Sequence, residues 1–139
     1  MLVRVLISIG YPAALIAVWG VTSLVTDTDV ISEPDASILL GPSIAVAAGL
    51  VTAAWVFSAR RAVTGPALGA VASVYLTMIV VGSLGYRLDG RQNIELILFA
   101  ARHATSPFFI GAALLSGAAV VLAFATSRPR SFDRLPPRG

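Results

Sequence analysis

The chain has 139 residues, 57% of them hydrophobic and 12% charged, with a net charge of +3. Soluble proteins carry ~25% charged residues. This composition excludes an ordinary soluble domain, and polar stretches of at most about a dozen residues leave no room for a separate soluble catalytic module.

An α-helix rises about 1.5 Å per residue, so ~20 residues match the ~30 Å hydrocarbon core of a bilayer. Residues 5–25, 38–58 and 66–86 each run for 21 residues without Asp, Glu, Lys, Arg or His, and residues 107–125 give 19 more. The expected fold is all-α: an integral membrane bundle of four transmembrane helices within residues 1–126. Residues 127–139 follow as a disordered, basic, Pro/Arg-rich cytoplasmic tail.

The first span is read as retained rather than cleaved. It exceeds the ~7–15 residues of a signal-peptide core, and Leu24-Val25-Thr26 offers no small-x-small site. Its Gly10-Tyr11-Pro12 predicts a bend, because proline removes one helical hydrogen bond. The segment after it holds Asp27, Asp29, Glu33 and Asp35. It lacks the ligand count and turn glycine of a calcium loop. Ser32-Glu33-Pro34-Asp35 reads as a helix start, with Ser32 as N-cap and carboxylates near the positive end of the dipole.

The second span carries Gly41, Ala45, Gly49 and Ala53, and the third begins with Gly65, Gly69, Ser73 and Thr77. A small residue every four positions lets helix backbones approach closely in lipid. The short connection around Arg60 and Arg61 predicts an antiparallel hairpin packed stripe against stripe.

Residues 93–104 are helix-like, with Ile94, Ile97, Leu98 and Ala101 on one side. Arg91, Glu95 and Arg102 fall within about 40° of one another on a helical wheel, and Arg91 can pair with Glu95. Ser106-Pro107 then suits an N-cap and a first helical turn. The economical reading is a short amphipathic helix on the outer surface, followed by the fourth span. The alternative is one long bent helix that places Arg102 and His103 inside the membrane, where an arginine costs at least ~2.5–3.5 kcal/mol. Arg91, Glu95, Arg102 and His103 are the candidate binding residues of the outer face.

Alternate sides of the membrane hold seven arginines (Arg4, Arg60, Arg61, Arg128, Arg130, Arg134 and Arg138) and three (Arg87, Arg91 and Arg102). The positive-inside rule places the seven, and both termini, in the cytoplasm. Arg60, Arg61 and the four tail arginines are expected at anionic headgroups, at about 1 kcal/mol each. All ten basic residues are Arg, which with the Ala, Gly, Val and Pro richness points to a high-GC bacterial genome.

Familiar site chemistry is missing. Without cysteine there is no disulfide, thiolate, Cys-ligated zinc, iron–sulfur cluster or c-type haem. His103 is the only histidine, so neither a metal site nor a Ser-His-Asp set is expected. No cofactor is expected. Gly82-Ser83-Leu84-Gly85 lacks the lysine and strand–helix context of a phosphate loop. No basic face is interleaved with aromatics, so nucleic acid is not an expected partner. In size and span number the chain resembles the small multidrug-resistance transporters, whose first helix carries a membrane-embedded Glu that binds proton and cationic drug. Residues 5–25 hold no carboxylate, so that activity is not expected. The role that fits is a non-enzymatic structural or accessory subunit of a larger complex in the bacterial inner membrane, with the bilayer and other membrane subunits as partners. The alternatives are a homo-oligomeric transporter or channel for a small solute, and an envelope enzyme acting on a lipid-linked substrate.

Overall fold

A computed structural model describes residues 1–28, 39–58, 62–88 and 93–127. It contains five helices among these residues: α1 (Leu2–Thr26), α2 (Leu40–Ser58), α3 (Thr64–Leu88), α4 (Asn93–His103) and α5 (Pro107–Ser127). Helices α1, α2, α3 and α5 are long and apolar enough to cross a membrane, and the chain is a multi-pass membrane protein of four spans. In lipid a helix satisfies its own backbone, which is why long apolar runs take this form. The expected helix start at Ser32, the loop arginines Arg60, Arg61 and Arg91, and the tail with Arg128, Arg130, Arg134 and Arg138 lie outside the described residues.

The four spans form a ring in the order α1, α2, α3, α5, and α2 also touches α5 across the diagonal. Helix α4 packs on α3. Tyr11, Leu15 and Trp19, spaced four apart, are the buried line of α1. They join Leu40, Ile44, Ala48, Val74, Met78, Phe99, Phe108, Phe109 and Ala112 in the main core, rich in aromatic residues. A second cluster, Val56, Ala70, Val120 and Ala123, fills the other half with smaller side chains.

Pro12 lies inside α1 without ending it. Its ring is received by Gly49 of α2, where an added Cβ would lie 3.0 Å from Pro12 Cγ. Helix α1 ends at Thr26, and Asp27 takes the left-handed conformation with φ 51°. Asp is one of the few residues besides glycine that adopts it at modest cost.

The hairpin of α2 and α3 differs in detail from a stripe on a stripe. Gly69 and Ser73 face α2, but they receive the indole of Trp55. A Cβ at Gly69 would sit 2.5 Å from Trp55 Cη2, and Trp55 Nε1 donates to Ser73 Oγ at 2.7 Å. Gly49 faces α1, while Gly41 and Gly65 have nothing within 4 Å of an added Cβ. The reason is geometric: every-fourth-residue spacing defines a face, and the neighbour with the bulkiest side chain decides what fills it. Farther along the same seam, Leu40 occupies the space beside Gly85.

Candidate functional site

Among the described residues, polar side chains gather at two ends of the bundle. The first is the junction of α4 and α5. Helix α4 ends at His103, residues Ala104 and Thr105 turn, and α5 starts at Pro107. The break falls where Ser106-Pro107 predicts it, and it leaves several carbonyls without helical partners. Ser106 N–H donates to His103 O at 3.0 Å, and the Tyr75 hydroxyl reaches from α3 to Ala104 O at 2.6 Å. The turn is therefore closed by a side chain from another helix as well as by its own backbone.

His103 is buried, with 6% of its surface exposed. Its ring stacks on Phe99 at a centroid distance of 4.1 Å and lies 5.5 Å from the ring of Phe109 in α5. Nδ1 is 3.0 Å from Phe99 O. A carbonyl only accepts, so this nitrogen carries the proton. The aromatic pair extends inward: Phe99 is 1% exposed and lies over Gly82 of α3, where a Cβ would fall 2.7 Å from Phe99 Cε1.

Of the residues expected to bind at the outer face, His103 is buried among aromatic rings. His103 fastens α4 to α5, and Arg102 beside it is exposed. The side chain of Glu95, like all of Arg91, lies outside the described residues, so their pairing does too. Of the apolar side expected from Ile94, Ile97, Leu98 and Ala101, the side chain of Ile94 lies outside the described residues and the other three residues are exposed; the side that meets the bundle is Phe99 and His103. Amphipathic periodicity identifies an apolar stripe, and here the stripe and the packing face are different sides of one helix. Among the described residues no group of three or more His, Cys, Asp or Glu is arranged to hold a metal ion.

Along α1 and α5 two further polar groups act in the apolar interior. The Tyr11 hydroxyl donates to Ala112 O at 3.0 Å, and Trp19 Nε1 donates to Phe108 O at 3.1 Å. Interhelical bonds of this kind are worth about 0.6 kcal/mol on average in a membrane. Thr52 and Ser116 are fully buried and bond back to their own helices, to Ala48 O and Ala113 O.

The second polar end gathers the start of α1 and the ends of α2 and α5. Arg4 Nη1 donates to Phe57 O and its Nε to Ser127 Oγ, both at 3.3 Å. A guanidinium there sits at two helix C-termini, where the dipoles favour a cation and terminal carbonyls need donors. Sequence spacing shows Arg4 only as a flanking charge. Its bonds span 53 and 123 residues, so no local pattern could reveal them. Together these contacts place both termini of the four-span unit at one end and α4 at the other.

No curated protein and no solved structure matches the chain. The model of DUF6121, a family of unknown function, matches residues 1–139, and the chain belongs to that family.

Proposed function

We propose that this protein is a small structural or accessory subunit of a larger complex in a bacterial inner membrane, oriented with both termini in the cytoplasm. The observation that carries this reading is the filled interior. Leu15, Ala48, Val74, Met78, Phe109 and Ala112 are fully buried along the bundle axis, and Tyr11, Trp19, Thr52 and Ser116 among them spend their polar atoms on helix-to-helix or back-bonds. A protomer packed in this way is suited to hold its helices in fixed register rather than to pass a solute through its centre. The arginine distribution supports the orientation, because the end marked by Arg4 is the side to which seven of the ten arginines belong.

Affinity capture of the tagged chain from native membranes in mild detergent, followed by blue-native electrophoresis, tests the reading. Co-migration with the same set of other membrane proteins, in stoichiometric amount, is expected. A ladder built of this chain alone, together with solute flux in proteoliposomes, would overturn it in favour of a homo-oligomeric transporter.

A further inference from the structure

We propose that the seam between α1 and α5 is a binding site for one anionic phospholipid, in the leaflet at the end that carries Arg4. Two hollows lie along this seam. The first, of about 400 Å³, is lined by Ile7, Gly10, Tyr11 and Ala14 of α1 and by Leu115, Ala118, Ala119 and Leu122 of α5. The second, of about 570 Å³, is lined by Met1, Val3, Arg4, Phe57, Thr126 and Ser127. Each volume lies within the ~300–1,000 Å³ of small-molecule sites.

Helical spacing puts the hollows on one line. Positions 14, 10, 7 and 3 of α1 and positions 115, 119, 122 and 126 of α5 recur every three or four residues, so each set shares a face. The apolar hollow and the polar one therefore follow each other along the same pair of helix faces. From Ala14 to Val3 the rise is ~17 Å at 1.5 Å per residue, close to half of the ~30 Å hydrocarbon core plus the edge of the headgroup layer.

The order of chemistry along that line matches a phospholipid. Ala14, Gly10, Ala118 and Ala119 leave a trough because they lack bulk, and an added Cβ at Gly10 meets nothing within 4 Å. An acyl chain fits such a trough by contact alone. At its end stand a guanidinium, held in place by Phe57 O and Ser127 Oγ, and the exposed hydroxyl residues Thr126 and Ser127. Arginine is suited to phosphate by its planar donor fork. This charge complementarity selects an anionic lipid over a neutral one, and the site requires no other subunit.

Native mass spectrometry of the full chain, purified in mild detergent and supplied with equal phosphatidylglycerol and phosphatidylcholine, tests the site. One retained phosphatidylglycerol per protomer is expected, with at least about fivefold preference over phosphatidylcholine. Ala118→Leu and Gly10→Leu fill the trough and should each reduce retention of either lipid about tenfold. Arg4→Gln should abolish the preference while leaving chain binding in place. Leu50→Ala, on the exposed outer side of α2, should change neither, and circular dichroism melts confirm that each variant is folded. Unchanged retention in folded Ala118→Leu and Gly10→Leu overturns the proposal. So does equal affinity for the two lipids in the wild type, or a photocrosslinker at position 118 that captures a protein helix instead of lipid.

Discussion

Single side chains decide how closely these helices approach, and glycines are informative only where something meets them. Gly69 and Gly65 stand one turn apart with the same spacing, yet one touches the Trp55 indole and the other faces open space. Gly69→Ala should therefore cost ~1–3 kcal/mol by overpacking and strain the Trp55–Ser73 hydrogen bond. Gly65→Ala should stay within about 0.5 kcal/mol of wild type. Reversible unfolding in mixed micelles, titrated with SDS, would separate them; equal stabilities would show that Trp55 yields freely. The stripe itself was legible in the sequence. Its partner was not, because Trp55 lies on a different helix and no spacing rule states which ring a glycine receives.

At the scale of elements, the informative segment is α4. Its existence and its end before Pro107 follow from residues 93–107, since capping chemistry is local and a proline, lacking an N–H, suits the first turn of a new helix. Its orientation does not follow from those residues. The apolar stripe of Ile97, Leu98 and Ala101 is the stronger sequence signal, whereas the contacts that hold the helix come from Phe99 and His103. Those contacts depend on Gly82 and Phe109, which are distant or across a turn. Replacing His103 by Ala removes one hydrogen bond and two ring contacts, a loss of about 2 kcal/mol. Because the loss is confined to one attachment, amide exchange in α4 should rise about tenfold while α2 and the first half of α3 keep their protection. Hydrogen exchange by mass spectrometry reads both at once. Unaltered exchange in α4 would mean that Tyr75 and Phe99 suffice to hold it.

For the whole molecule, the count and limits of the spans were legible because lipid imposes a length and forbids unsatisfied backbone. Helix α1 starts three residues before its apolar run and ends one residue after it, and α3 exceeds its run by two residues at each end. Ring order was not legible, since any span could neighbour any other by hydropathy alone. Arg4 joins three chain segments at one end, and that grouping combines with the arginine count into a topology that is simple to test. Alkaline-phosphatase fusions at residue 30 should be active and fusions at residue 62 silent. The reverse pattern would invert the molecule in the membrane without altering its fold.

The bonds from Tyr11 and Trp19 to α5 have a consequence for biogenesis. Each joins the first of the four spans to the fourth, across 101 and 89 residues of chain. While the ribosome is still making α2 and α3, the carbonyls of Ala112 and Phe108 do not yet exist. Helix α1 must therefore wait in the bilayer with its phenol and indole groups turned toward whatever else is near, whether water at the interface, a lipid ester or an insertase. Closure of the ring of four spans waits for α5, and the seam between α1 and α5 is the last of its seams to form.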